Sequence, residues 1–150
     1  MAFLNTLNIN GSALTAQRLR LSIISENLTN RDTTRTESGG PYRRKTVAFE
    51  AIEKGDFKSL MNRALGKQPA SGNGVGGVRV SEIIEDESPF KTVYDPTHPD
   101  ADERGYVNLP NVNILQETID AMSASRSYEA NVTAINAVKL MASKALEVGK

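Results

Sequence analysis

The chain has no cysteine, a single histidine, no surplus of either charge and no long apolar run. Without cysteine there are no disulfides and no thiolate metal sites, so the fold is indifferent to a reducing or an oxidising compartment. One histidine, His98, leaves little room for a His-rich metal site, and no G-x-S-x-G elbow accompanies it for nucleophilic catalysis. Lys+Arg and Asp+Glu balance at 18 each. That balance removes the strongly basic nucleic-acid and membrane binders from consideration. The longest apolar runs are far short of the roughly 20 residues that span a bilayer. The opening stretch MAFLNTLNINGSALTAQRLRL also lacks the basic and then apolar pattern of a Sec signal, so no Sec-type export is expected. With 150 residues, one ordinary domain is expected.

Proline and glycine are missing from Asn111 to Val148, and that absence defines the dominant element. Ala121, Ser125, Tyr128, Val132, Ile135, Val138, Ala142 and Ala145 recur at steps of three and four, which places them on one stripe of a helix. Glu117, Asp120, Arg126, Glu129, Lys139 and Lys144 read as lying mostly off it. The stripe is narrow, of coiled-coil type. At 1.5 Å per residue the helix would span roughly 55 Å, more than the about 40 Å expected across a compact globule of this size. One end must therefore project or pack on something else, such as another chain.

Ala13 to Asn27 also lacks proline and glycine, and Leu14, Gln17, Leu21, Ile24 and Leu28 keep the same spacing. Ser12 is placed to N-cap this second helix, while Gly11 leaves open whether Leu4 to Asn10 joins it. The two helices are expected to pack antiparallel, with residues 31–110 as an insert between 1–30 and 111–150. In the insert, Arg31 to Arg44 reads as a loop or extended arm, Lys45 to Ile52 and Val78 to Ile84 as strands, and Pro89 to Asp95 as a further short strand. Asp56 to Leu65 suits a short helix, Gly66 to Gly77 a linker or hairpin loop, and DPTHPDADERG a turn-rich connection. The fold class is α+β: long terminal helices forming an antiparallel coiled-coil pair, with a small, mostly β inserted domain.

Gly72, Gly74 and Gly77 fit G-x-G-x-x-G, but a strand-like segment follows where a dinucleotide site needs a helix. His98, Asp100, Asp102 and Glu103 cluster without the glycine and distant glutamate of an EF-hand, and read as a solvated turn. No catalytic, cofactor or metal-binding residue is assigned. Arg43, Arg44 and Lys45 after Tyr42 are too few for a nucleic-acid footprint and suit either a strand start or a contact to a neighbouring subunit. Asn27, Asn30, Asn131 and Asn136 place amides on or beside the helix seams, where such groups fix register.

Several of these residues carry a resemblance. SALTAQRLRLSIISENLTNRDTTRTESGGPYRRKTVAFE, with Asn27, Leu28 and Asn30 in an Asn-Leu-x-Asn signature, resembles the N-terminal helix and arm of the flagellar axial proteins. DPTHPDADERGYVNLPNVNI and ASRSYEANVTAINAVKLM resemble the most specific motifs of the proximal-rod members of that family. Thr29 stands where alanine is frequent in the family, and Arg31-Asp32 replaces Val-Asn; residues 54–77 show no family motif. The resemblance implies a non-enzymatic structural subunit of the bacterial flagellar basal body. Its terminal helices would form the inner layer of a tubular axle that transmits torque. It would reach the periplasmic rod through the flagellar type III export apparatus, without a cleaved signal.

The expected partners are other rod proteins, the rod–ring adaptor and further copies of the chain, with no nucleic acid and no membrane insertion. The residues expected at subunit interfaces are Leu14, Leu21, Ile24, Asn27, Leu28, Asn30, Tyr42, Arg43, Arg44, Tyr128, Asn131, Val132, Ile135, Asn136, Val138 and Ala142. A soluble helical adaptor or chaperone-like binding module is the alternative, and a small-molecule enzyme comes third.

Overall fold

The computed structural model describes residues 2–37, 39–53, 61, 65 and 75–148. Two long helices, α1 (Ala2–Thr29) and α2 (Ile114–Val148), enclose four strands in the chain: β1 (Lys45–Glu53), β2 (Val75–Glu85), β3 (Lys91–Tyr94) and β4 (Tyr106–Leu109). This is an α+β fold with its strands inserted between the helices. The strands form two two-stranded ribbons, β1 with β2 and β3 with β4. In the second, Lys91 faces Leu109 and Tyr94 faces Tyr106 in antiparallel register.

α2 begins three residues later than the proline- and glycine-free stretch because Asn113 caps it. The Asn113 side-chain oxygen accepts the backbone N–H of Leu115 at 3.1 Å, one of the free donors of a first turn. α1 is longer than its clearest periodic stretch and runs straight through Gly11. Ser12 is therefore not an N-cap but an interior residue. Its hydroxyl donates to the Ile9 carbonyl at 2.7 Å and accepts the Val78 N–H at 3.0 Å. A tertiary bond of this kind overrides the roughly 1 kcal/mol by which an interior glycine disfavours a helix. β2 also begins earlier than expected, so that Gly77 belongs to a strand and not to a linker. The expected helix at 56–65 and the first two glycines of the Gly-rich motif lie outside the described residues, apart from Met61 and Leu65.

The chain divides into two compact units. One comprises Met1–Gln17, Phe49–Ser81 and Ser127–Lys150, the other Arg18–Ala48 and Glu82–Arg126. Each unit takes a stretch of both helices and part of the strands. In the first unit Ala16 and Val138 are buried, and Gly77 lies against Ser12. In the second the core is Ile23, Ile24, Tyr42, Val107 and Ala124, with two polar residues, Asn27 and Glu117, among them. Within that second unit the helices run antiparallel: Arg20 of α1 meets Asp120 of α2, and Asn27, two turns further on, meets Glu117, about one turn back. No described helix is long and apolar enough to cross a membrane.

Candidate assembly interface

The second unit is organised by a buried polar hub. Asn27 is 1% exposed and Glu117 is completely buried. A buried amide must have all its hydrogen-bonding capacity met or cost stability, and Asn27 meets all of it. Its Nδ2 donates to the Lys45 carbonyl at 2.8 Å and to Glu117 Oε2 at 3.0 Å. Its Oδ1 accepts the Tyr42 hydroxyl and the Lys45 N–H, each at 2.9 Å. Glu117 is the first-turn acid of α2, where the helix dipole favours negative charge. Its other oxygen accepts Arg44 Nε at 2.6 Å.

Arg44 extends the hub, with guanidinium nitrogens 3.6 Å from Asp86 and 3.5 Å from Asp120, while Arg20 reaches Asp120 at 2.9 Å. Lys45 pairs with Glu26 at 2.6 Å. Asn111 ties the same region by accepting the Arg44 N–H at 2.8 Å and donating to the carbonyls of Asp86 and Ser88. The end of α1, the following loop, the start of β1 and the start of α2 are thus bolted together. Burial, reinforced by the Glu26 carboxylate, pushes the Tyr42 phenol well above its ordinary value of 10.0, so it stays protonated and keeps donating to Asn27. Hydrogen bonds from the Ser88 hydroxyl and N–H hold the Asp86 carboxyl below its usual range.

The expected interface residues divide accordingly. Asn27, Tyr42 and Arg44 turn inward onto partners of their own chain. Asn30 donates to the Glu26 carbonyl at the end of α1, and Asn131 to the Ser127 carbonyl within α2. Ile24 and Val138 are buried; Leu14, Leu21, Leu28, Arg43, Val132, Ile135 and Ala142 are half-buried; Tyr128 and Asn136 are exposed. Glu117, expected off the stripe of α2, is instead its most buried residue together with Ala124. Positions 117, 121 and 124 continue the three-and-four spacing, so the signal was present but began with a charged residue.

The bulky apolar side chains of α2 point elsewhere. In the first unit Leu140 is 62% and Met141 63% exposed, with Leu146 and Val148 more so. In the second, Ile114, Leu115, Ile119 and Met122 are exposed. Large apolar side chains left in water on a helix are candidates for contact with another macromolecule. The turn from Asp95 to Gly105 assembles no ligand set: Asp95 accepts from Thr97, Asp100 from Thr34, and Asp102 from the backbone of Arg104 and Tyr106. Among the described residues no three His, Cys, Asp or Glu side chains are placed to hold a metal. The hub ties the end of α1 to the start of α2 through buried hydrogen bonds and ion pairs.

Comparison with known proteins agrees with that chemistry. Residues 7–35 match the family described as "Flagella basal body rod protein", and residues 103–148 the family "Flagellar basal body rod FlgEFG protein C-terminal". The chain is 51% identical to the flagellar basal-body rod protein FlgC of Bacillus subtilis, with all of both chains covered. It is 45% identical to FlgC of Borreliella burgdorferi, covering 99% of this chain and 98% of that one. Against FlgC of Escherichia coli O6:H1 the identity is 43%, with both chains covered entirely.

Proposed function

The chain belongs to the FlgC family of flagellar basal-body rod proteins, and from that premise we propose that its helices build the inner layer of the proximal rod, a tubular axle that transmits torque. It is a structural rod subunit of the flagellar basal body, where it assembles with other basal-body components. The observation that carries the finer reading is the exposed apolar side of α2, above all Leu140 and Met141. Two large side chains so exposed in the isolated chain gain about 25 cal/mol for each Å² of apolar surface that a neighbour covers.

In this reading the neighbours are further copies of the chain, other rod proteins and the rod–ring adaptor. Leu14, Leu21, Leu28, Tyr128, Val132, Ile135, Asn136 and Ala142 complete the helical contact surface, and the strand insert faces outward. The contacts are heterologous, so they extend into an open helical array. The chain reaches the periplasmic rod through the flagellar type III export apparatus without cleavage. It performs no catalysis.

Leu140→Asp and Met141→Asp test the reading. Both sites are exposed, so the purified chain should keep its stability to within about 0.5 kcal/mol. In cells lacking the native protein, each variant should be absent from isolated basal bodies, and the cells should not swim. Normal incorporation and swimming would overturn the proposed helical contact.

A further inference from the structure

Three consecutive cations follow Tyr42, and the structure treats them differently. Arg44 and Lys45 are neutralised by carboxylates of their own unit. Arg43 has no carboxylate partner among the described residues. Its guanidinium lies 4.4 Å from the centre of the Phe90 ring, and Nη1 donates to the Asp86 carbonyl at 3.2 Å. Stacking and one backbone bond fix its plane and leave further N–H donors directed elsewhere. Arg43 also lines a cavity of about 430 Å³ whose walls include Pro41, Tyr42 and Phe90. The lining also carries Lys45 and Glu85, so this is a socket of mixed walls in which Arg43 is an immobilised cation with no ion pair among the described residues.

Phe90 adjoins one end of the β3–β4 hairpin, and a complementary feature occupies the other. Tyr94 and Tyr106, opposite each other in register, are 64% and 46% exposed, with ring centres 5.3 Å apart in an edge-to-face pair. Gly105, with φ +78°, lets the chain turn beneath them: a Cβ there would come within 3.0 Å of the Tyr94 ring. Glu103, in the same turn, is exposed and has no ion-pair partner among the described residues. Tyrosine, with tryptophan and arginine, is enriched among the side chains that anchor interfaces.

We propose that the Tyr94–Tyr106 tip of one copy docks in the Arg43–Phe90 socket of a second copy, with Glu103 pairing with Arg43. The proposal rests on the rod reading, in which copies of this chain are neighbours. Glu103 and Arg43 are opposite in sign, neither has an ion pair among the described residues, and the edges of Tyr94 and Tyr106 would meet the Tyr42 and Phe90 walls. Socket and tip sit at opposite ends of a four-residue hairpin, about 13 Å apart at roughly 3.3 Å per residue. A contact between opposite ends of one element is heterologous and repeats along an array. The other acids near the socket, Glu82, Glu85 and Glu87, belong to the same unit as Arg43, and Glu85 lines the socket itself; none of them forms an ion pair with Arg43, and none lies on the Tyr94–Tyr106 tip.

The absence of native cysteine makes the test direct. Arg43→Cys combined with Glu103→Cys, expressed in place of the native protein, should give disulfide-linked multimers of the chain in isolated basal bodies after mild oxidation. Either substitution alone should give none. Arg43→Glu and Glu103→Arg should each lower incorporation into basal bodies at least tenfold, and the double swap should restore it to within about twofold. Glu103 is exposed, so its variant keeps the test valid even if Arg43→Glu destabilises the purified chain. Incorporation without cross-linking and without charge-swap rescue would overturn this contact alone. Loss with Arg43→Glu but not with Glu103→Arg would assign the socket to a different rod component and overturn docking of a second copy. Absence of the unsubstituted chain from basal bodies would instead overturn the rod reading, and the contact with it.

Discussion

Asn27 Nδ2 lies 3.0 Å from Glu117 Oε2, joining residues 90 positions apart at a point closed to water. Glu117 is ionisable and fully buried, so its stability depends on the two donors that reach it, Asn27 and Arg44. Asn27→Ala removes one of them and strands the Lys45 backbone groups as well. The expected loss is about 2–4 kcal/mol, measured by urea unfolding. Asn27→Asp should be worse, because it sets a second carboxylate against Glu117. An Asn27→Ala chain as stable as the native one would remove the hub from this account.

Two glycines offer opposite outcomes. Gly11 sits inside α1 with nothing within 4 Å of an added Cβ, so Gly11→Ala should stabilise the purified chain by about 1 kcal/mol. Gly77 has φ +150°, and a Cβ there would collide with the Ser12 hydroxyl. Gly77→Ala should therefore destabilise by about 1–3 kcal/mol. Thermal melts of the two variants beside the native chain check both signs.

Stability should fall in alkali through Tyr42. Its folded pKa is raised above the ordinary 10.0 by burial and the Glu26 carboxylate. The folded chain therefore holds a proton that the unfolded chain has lost, and stability present below pH 10 declines as pH rises beyond it. Tyr42→Phe should lower stability at neutral pH, by about 1 kcal/mol for the lost hydrogen bond, and flatten the alkaline decline. An undiminished alkaline slope in that variant would show that another group is responsible.

The sequence disclosed the helices more readily than the hub. Runs such as Leu14, Leu21, Ile24 and Leu28 announce a helix because period 3.6 is a local property. Ser12 reads as an N-cap because the bond that fixes it inside α1 comes from Val78, 66 residues away. β4 is illegible because Tyr106–Leu109 is four residues long and follows a turn-rich stretch, leaving too little alternation to register. The hub was illegible for a related reason. Its members lie on four separate segments, and no local pattern says that Glu117 will face Asn27 and not solvent. The seam asparagines are legible by residue type, but the groups of this chain that Asn27, Asn30 and Asn131 bond to are not. The large exposed side chains of α2 depart from the stripe that periodicity selected, since small residues such as Ala124 fill the narrow space between packed helices.

A cryo-electron microscopy map of isolated basal bodies, from cells that make this chain in place of any other FlgC protein, tests the central claim most directly. The account expects α1 and α2 in the rod wall, with Leu140 and Met141 covered by neighbouring subunits. A map that places the chain outside the rod, or leaves that side of α2 facing open solvent, would contradict it.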